Sequence, residues 1–253
     1  CGKSTIGKAM MGLVPWSGQI QLNGDSIAGL SRPQMQRVLR NIQMIFQDPG
    51  ASLDPRMKVG DQVGEPMVVH GIARGTELKD RVAYLFQRVG LSRDAIERYP
   101  HEFSGGQRQR ICIARALSLS PKVIIADECV SALDVSIQAQ VLELLKELQQ
   151  EDDLAYLFIS HDMAVIEQMA DEVAVMRLGQ IVEHGYRDAV LRDPQHYYTQ
   201  RLLSAVPIPD PEVERAQPRR ETSAEPESPI FKLHEQPTPL HLQEIAPGHL
   251  VAS

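Results

Sequence analysis

The chain carries Val-Ile-Ile-Ala-Asp-Glu at residues 123–128, and this short segment predicts much of its architecture. An unbroken apolar run of this kind is typical of a strand buried on both faces. Asp127 and Glu128 end the run abruptly with two carboxylates. Strand-like and helical segments alternate around it, which predicts an α/β fold with a mainly parallel sheet. Because such sheets bind ligands at the carboxyl ends of their strands, we expect Asp127 at a binding edge. Solvated acids at a strand end are the alternative interpretation.

A phosphate-binding pattern stands near the beginning of the chain, where Gly2-Lys3-Ser4-Thr5 leads directly into a helix-forming segment. In such loops, backbone amides and the helix N-terminus hold phosphate oxygens, a lysine neutralises them, and a hydroxyl binds Mg²⁺. The four residues form only the second half of the motif. An ordinary polar helix start has the same composition, so other parts of the sequence have to decide between the two interpretations.

A glycine pair precedes a basic, helix-forming segment in the sequence Phe103-Ser104-Gly105-Gly106-Gln107. Two glycines allow a backbone to approach a phosphate closely, and the helix that follows directs its positive end toward an anion. Ser104 can donate its hydroxyl. The alternative is a capped helix that begins with two flexible glycines. The combination with Arg-Gln-Arg and a later Asp-Glu strand is rare, which favours an anion site.

Composition and charge exclude several classes of protein. The chain has 253 residues, of which 43% are hydrophobic and 23% charged, so it can bury a substantial core. Its formal net charge of -7 argues against attraction to nucleic acid or to an anionic membrane surface. Three scattered cysteines form neither a disulfide framework nor a paired metal site, and they fit a reducing cytosol. The sequence contains no apolar run that approaches the roughly 20 residues of a membrane-spanning helix.

As an ordered set, these motifs resemble the nucleotide-binding domain of ABC transporters over nearly all of residues 1–207. The resemblance implies a P-loop NTPase core of the RecA-like type with a mainly parallel sheet, and a helical ABC subdomain at about residues 48–120. A C-terminal extension, residues 208–253, begins with a segment rich in proline, glutamate and arginine. We expect this linker and the rest of the extension to be largely flexible.

The resemblance also assigns candidate site residues, each at a position that matches a family motif. The positions expected to contact ATP are Gly2, Lys3, Ser4, Thr5, Gln47, Ser104, Gly105, Gly106, Gln107 and Asp134. Those expected to bind Mg²⁺ are Ser4, Gln47 and Asp127, and the expected catalytic residues are Glu128 and His161. Glu128 would polarise the attacking water, since phosphoryl transfer depends on orienting the nucleophile. His161 would contact the terminal phosphate and support Glu128, although a histidine at a strand end is by itself more often structural.

The family also implies partners. Its domains pair head to tail, and the signature motif of one closes on ATP held by the phosphate loop of the other. We therefore expect a second ABC ATPase domain, identical or different, on whose nucleotide residues 104–107 act. Transmembrane permease subunits, to which Gln47 reports the nucleotide state, and an extracytoplasmic solute-binding protein as an indirect partner are also implied. The expected location is peripheral, on the cytoplasmic face of the inner membrane, with no nucleic acid bound.

A finer likeness is to the importers of dipeptides, oligopeptides, nickel and glutathione. The segments that carry it are residues 45–49, 52–55, 99–103, 196–203 and 246–249. We therefore expect ATP-driven uptake of a peptide-like solute. A soluble ABC ATPase without a transport role and an inactive interaction fragment are the alternatives, and the transported solute stays open.

The sequence departs from the family pattern at several positions, and each departure leads to a further prediction. Several members hold an iron-sulfur cluster on cysteines of the C-terminal extension, but no cysteine follows Cys129, so we expect no cluster. His234, His241 and His249 are widely spaced in a polar segment, and we expect them to be solvated rather than metal ligands. The phosphate-loop glycines and the adenine-stacking aromatic residue would lie before Cys1. The motif is therefore expected to be truncated, and the chain by itself to bind ATP poorly.

Overall fold

The computed structural model describes residues 2–205 and 239–252. The chain divides into two compact units. The larger unit is Ser4–Val165, and the smaller unit combines the described residues of Cys1–Lys3 and Ile166–Ser253. Each unit has an apolar cluster of its own.

Helices and strands alternate along the chain, which confirms the predicted α/β class. The helices are α1 (Lys3–Met10), α2 (Arg32–Asn41), α3 (Pro49–Ser52), α4 (Val59–Val69), α5 (Gly75–Arg88), α6 (Gly105–Leu117), α7 (Val135–Asp152), α8 (Met163–Met169), α9 (Arg187–Arg192) and α10 (Tyr197–Ser204). The strands are β1 (Gln21–Leu22), β2 (Asp25–Ser26), β3 (Ile42–Ile45), β4 (Val123–Asp127), β5 (Ala155–Ile159), β6 (Glu172–Arg177), β7 (Gln180–Tyr186), β8 (Leu242–Ala246) and β9 (His249–Ala252). Across residues 2–205 and 239–252, no helix combines the length and apolar character that crossing a membrane requires.

A parallel sheet of three strands, in the order β3-β4-β5, forms the centre of the larger unit. In β4, Val123 pairs with Ile42 on one side and with Ala155 on the other. Ile125 in the middle of β4 is fully buried, as the unbroken apolar run predicted. Because all three strands run in the same direction, their carboxyl ends meet at one edge, and Asp127 lies at that edge.

Helix α1 lies close against this sheet because Gly7 leaves room for it. A Cβ atom at Gly7 would lie 3.0 Å from Ile125 Cγ2 and 3.5 Å from Met44 Cε. The surrounding cluster consists of Ile42, Met44, Ile125 and Ile159, and the end of α1 packs against it. A larger side chain at Gly7 would push α1 away from β4, so this glycine sets the spacing between helix and strand.

Helices α3 to α6 follow one another from residue 49 to residue 117, and the two short 3₁₀ helices of this region span Arg93–Glu97 and Pro100–Glu102. Helix α4 packs against both α5 and α6, and Val63, Val82 and Phe86 between them are 3% exposed or less. The helices fall within the range predicted for the helical subdomain. The limits of that subdomain stay a prediction.

The smaller unit contains an antiparallel sheet of four strands in the order β6-β7-β9-β8. Strands β6 and β7 form a hairpin around Gly179, whose φ of 81° is a conformation that glycine adopts without strain. Val175, Val182 and Val190 form the buried cluster beneath this sheet, and α10 contributes Leu202 to it. The cluster is small, so polar contacts matter for the order of this unit.

A buried carboxylate joins the C-terminal strands to the rest of the smaller unit. Glu183 of β7 is 0% exposed and accepts hydrogen bonds from Gln195 N at 2.8 Å and from His196 N at 3.1 Å. His249 Nε2, on β9, lies 2.8 Å from Glu183 Oε1. Burial raises the pKa of the Glu183 carboxyl, but its hydrogen bonds outweigh burial and hold the pKa below the ordinary value. The carboxylate therefore stabilises the fold at neutral pH, and this contribution is lost as the pH falls through its folded-state pKa.

Two predictions about the C-terminal extension differ from the structure. The prediction that residues 208–253 are largely flexible is wrong for residues 242–252, which form β8 and β9 and extend the sheet from β7. The prediction that His249 is solvated is also wrong, because His249 is 6% exposed and contacts Glu183. Composition did not reveal the hairpin, because a short pair of strands becomes stable only on a partner edge. His241 is exposed, as predicted, and His234 lies outside the described residues.

Replacing His249 by alanine should loosen the C-terminal hairpin. The variant leaves the buried Glu183 carboxylate with one donor fewer, which costs about 1–3 kcal/mol. We expect amide hydrogen exchange in residues 242–252 to accelerate by roughly tenfold to a hundredfold, while exchange in β4 stays unchanged. The matched control is His241→Ala, since His241 is exposed. Equal exchange rates in the two variants would contradict the role given to the Glu183 contact.

Candidate functional site

Two oxygen-bearing side chains meet where α1 begins and β4 ends. Ser4 Oγ donates a hydrogen bond to Asp127 Oδ1 over 2.8 Å. Asp127 is 4% exposed and is the last residue of the central strand. The structure thus brings together the phosphate-loop pattern and the Asp-Glu pair, which lie 123 residues apart in the sequence. The roles of these residues stay predictions.

Two further predicted residues converge on Glu128, so that residues just after β3, β4 and β5 meet. Gln47 Nε2 donates to Glu128 Oε2 over 2.8 Å, and His161 Nδ1 lies 3.3 Å from Glu128 Oε1. Glu128 has a φ of 47°, which is uncommon for a residue other than glycine and turns the chain sharply after β4. Its backbone N donates to Ile159 O over 2.9 Å, which anchors the turn to β5. The Glu128 side chain is 18% exposed and that of His161 is 63% exposed.

The oxygens of Ser4 and Asp127 fit a magnesium ion. Mg²⁺ prefers oxygen ligands and in nucleotide sites is held by one or two protein groups together with phosphate oxygens and water. In the part of the chain that the structure describes, no group of three or more His, Cys, Asp or Glu side chains forms a metal site. Ser4 and Asp127 are two oxygen donors of the kind that such a nucleotide site supplies to the ion. Gln47 is predicted as a further ligand, but its amide nitrogen faces Glu128 instead.

A cleft of about 720 Å³ opens beside these residues in the larger unit. Its lining includes Ser4, Gln47 and Asp127, together with the cationic side chains of Lys8 and Arg115. Ligand pockets in proteins are commonly of this size. The carboxylates of Asp48 and Asp127 also line the cleft and balance the two cations, so it is the volume of the cleft that suits a ligand as large as a nucleotide.

The remaining phosphate-loop residues lie at the start of α1. Lys3 and Ser4 are the first two residues of the helix, Lys3 is half-buried, and Thr5 is exposed. Gly2 has a φ of 94°, a conformation that other residues rarely adopt, so the chain turns sharply into the helix at this position. The backbone amides of this first turn have no partners within the helix and are the groups that hold anions at helix N-termini.

The predicted glycine pair lies at the start of α6. Gln107 N donates to Ser104 Oγ over 3.3 Å, and Ser104 N donates to Gln107 Oε1 over 3.0 Å. These two bonds form a capping box, which fixes where the helix begins. A Cβ atom at Gly106 would collide with the side chain of Ile137, whereas one at Gly105 would reach only ordinary contact at 3.6 Å. Gly106 is therefore required by close packing.

In the part of the chain that the structure describes, the glycine pair makes no polar contact with the predicted residues at the sheet edge. Among the described residues, no hydrogen bond or ion pair joins residues 104–107 to the pair of Ser4 and Asp127 or to Glu128. Asp134 occupies the N-cap position of α7, is exposed, and makes no capping bond with its side chain.

Neither described cysteine belongs to this constellation. Burial raises the pKa of Cys129 to about 12 and that of Cys112 to about 11. Both thiols therefore stay protonated at neutral pH. A protonated thiol is a poor nucleophile and a poor metal ligand, so the chemistry of the site lies with its oxygen and nitrogen groups.

Sequence reasoning missed two polar residues beside His161. Asp162 Oδ1 accepts a hydrogen bond from Ala164 N at 2.9 Å, and Asp162 Oδ2 accepts one from Gln138 Nε2 at 3.4 Å. An aspartate just before a helix is a capping signal, so Asp162 was open to prediction. The bond to Gln138 spans 24 residues and leaves no signal in a single sequence.

Comparisons with known proteins find relatives that match most of the chain. Residues 1–131 match the family described as ABC transporter, and residues 182–230 match the one described as oligopeptide/dipeptide transporter, C-terminal region. The chain is 55% identical over 253 residues to the glutathione import ATP-binding protein GsiA of Salmonella paratyphi A, with 99% of this chain and 40% of that protein covered. It is 55% identical over 252 residues to GsiA of Escherichia coli K12, with the same coverage. The chain thus spans 40% of the length of these curated relatives.

Two solved structures share the fold and confirm its class. One is cbiO1 from Clostridium perfringens, described as part of the ABC transporter complex cbiONQ. It matches with a TM-score of 0.67 and 29% identity over 76% of this chain and 75% of that one. The other is an ATP-binding cassette in a dimeric, post-hydrolysis state bound to ADP and Pi. Its TM-score is 0.64, with 26% identity over 74% of this chain and 81% of that one.

Substituting the two signature glycines separately should distinguish them. Gly106→Ala introduces a Cβ that collides with Ile137 and should lower the free energy of unfolding by about 1–3 kcal/mol. Gly105→Ala has space for its Cβ and gains helix propensity, so we expect no loss of stability. Urea unfolding of the two variants measures this difference. Equal stability would show that Gly106 is not held by packing.

Proposed function

Because this chain belongs to the ABC transporter family, we propose that it is the ATP-hydrolysing part of an importer and that it couples MgATP hydrolysis to uptake of a peptide-like solute. The observation that carries the proposal is the convergence of two contacts at one sheet edge. Ser4 bonds Asp127, and Glu128 is held between Gln47 and His161. These groups are the ones that phosphoryl transfer from a magnesium nucleotide requires.

Ser4 and Asp127 hold the magnesium ion in this proposal. A bound Mg²⁺ neutralises the charge that develops on the phosphate oxygens. The Lys3 ammonium and the backbone amides at the start of α1 add further positive charge around the phosphates. The Ser4 hydroxyl donates to Asp127 in the structure, and its oxygen would be available as a ligand if Mg²⁺ were bound.

Glu128 orients the attacking water. Gln47 contacts one of its carboxylate oxygens and His161 approaches the other, so the group is held from both sides. A carboxylate fixed in this way needs little reorganisation to align a water with the terminal phosphate. The largely exposed His161 ring lies where it can contact that phosphate as well as Glu128. Gln47 follows β3 at the edge of the helical region, and it passes changes at Glu128 toward the permease.

A second ABC domain completes the site. Residues 104–107 make no polar contact with the Ser4 and Asp127 pair among the described residues, although their capped helix start and Gly105 suit binding of a phosphate. We infer that this segment and Asp134 act on the nucleotide held by the partner domain. The dimeric state of one related ATP-binding cassette supports this arrangement.

The transport role rests on the relatives. The match of residues 182–230 to the oligopeptide/dipeptide transporter C-terminal region and the 55% identity to proteins named for glutathione import favour a peptide-like solute. Such a subunit would sit peripherally on the cytoplasmic face of the inner membrane, bound to transmembrane permease subunits. A solute-binding protein on the other side would supply the solute. Residues 1–207 would form the nucleotide-binding domain, with the extension beginning at residue 208.

The substitution Glu128→Gln should abolish turnover but spare binding. Glutamine keeps the size of the side chain and removes the carboxylate, so we expect the rate of phosphate release to fall by about 10²- to 10⁴-fold. Binding of a fluorescent ATP analogue should stay within a factor of about 3, because uniform binding contacts are retained. Both are measured in the full-length protein. A Glu128→Gln variant that releases phosphate as fast as the wild type would disprove the catalytic role.

A further inference from the structure

The side chain of His161 makes few contacts with the rest of the protein. The His161 side chain is 63% exposed, and within the described residues its one polar contact is the 3.3 Å approach to Glu128. A largely exposed ring with a single polar contact takes its position mainly from the backbone that carries it. Whatever fixes this backbone therefore decides whether the His161 ring reaches Glu128.

Asp162 fixes that backbone on the side of α8. Its Oδ1 accepts a hydrogen bond from Ala164 N at 2.9 Å, and its own backbone N donates to Ser160 Oγ over 3.0 Å. These bonds hold the residues on both sides of His161 in a defined turn. Helix α8 alone would still allow the loop to move with the helix.

The other oxygen of Asp162 ties the loop to a different element. Gln138 Nε2 donates to Asp162 Oδ2 over 3.4 Å. Gln138 belongs to the first turn of α7, where its backbone N donates to Asp134 O over 2.8 Å. The side-chain amide of Gln138 thus lies on α7, the helix that follows β4 and its turn.

The first turn of α7 is itself held firmly. The side chain of Ile137 fills the space above Gly106, where even a Cβ atom would collide. The hydroxyl of Ser131 donates to Glu128 O over 2.9 Å, which closes the turn between β4 and α7. The Gln138 side-chain amide therefore contacts Asp162 from a position that is fixed relative to Glu128.

We propose that Gln138, acting through Asp162, is a positioning residue that holds His161 at its working distance from Glu128. The inference deepens the proposed function and rests on it. The hydrogen bond between Gln138 and Asp162 links the loop of His161 to the start of α7, which the turn at Ser131 connects to Glu128. Without the bond, the loop moves with α8 and the contact between His161 and Glu128 is lost for part of the time.

The test is the variant Gln138→Leu in the full-length protein, because leucine keeps the bulk and helix propensity and removes the donor. We expect kcat for ATP hydrolysis to fall about tenfold, the effect of losing one hydrogen bond to a charged group. KM for MgATP should stay unchanged, since Gln138 does not contact the nucleotide. The matched control is Gln140→Leu, an exposed position two residues further along α7, for which we expect the wild-type kcat.

A double variant separates positioning from general loss of structure. In a His161→Ala background, Gln138→Leu should have no further effect on the rate constant of phosphate release in a single turnover, because no ring remains to be positioned. A tenfold loss that persists in this background overturns the proposal. So does a Gln138→Leu enzyme with the kcat of Gln140→Leu. If His161→Ala leaves kcat unchanged, the role of His161 fails and this inference with it, whereas the proposed function itself fails if the wild type does not hydrolyse ATP.

Discussion

The hydrogen bond between Ser4 and Asp127 is the contact on which the rest of the site depends. It joins the start of α1 to the carboxyl end of the central strand, and it exists because Gly7 lets the helix lie against Ile125 without a side chain between them. The parallel pairing of β3, β4 and β5 then places residues after three strand ends at the same edge. One close contact between helix and sheet thus places the Ser4 hydroxyl and the carboxylates of Asp127 and Glu128 at the same edge of the sheet.

The molecule uses buried carboxylates in two opposite ways. Glu183 is fully buried, accepts hydrogen bonds from two backbone amides and contacts His249, so its contacts are all within the protein and serve the fold. Among the described residues, the carboxylate of Asp127 accepts one hydrogen bond, from Ser4, and that of Glu128 has two side-chain contacts. Lone pairs that remain unfilled at the edge of the sheet are what metal and water binding require, since full satisfaction would remove the driving force.

The sequence predicted what local pattern and motif order encode. The run at residues 123–126 predicted a central buried strand, and α6 begins at the predicted glycine pair. The contact of Gln47 with Glu128 and the role of Gln138 depend on how strands and helices are arranged in space, and no spacing reports that. The hairpin at residues 242–252 escaped prediction for a related reason: its stability comes from the edge of β7 and from Glu183, both distant in sequence.

In the proposed function, Ser4 and Asp127 form a magnesium site that is shared with a nucleotide. Mn²⁺ prefers the same oxygen ligands and is visible by electron paramagnetic resonance. Titration of Mn²⁺ into the full-length protein in the presence of ATP should show a protein-bound ion whose affinity falls at least about tenfold in Asp127→Asn, because the variant removes the one charged ligand that the protein supplies. An affinity for Mn²⁺ that is the same in Asp127→Asn and in the wild type would contradict the account.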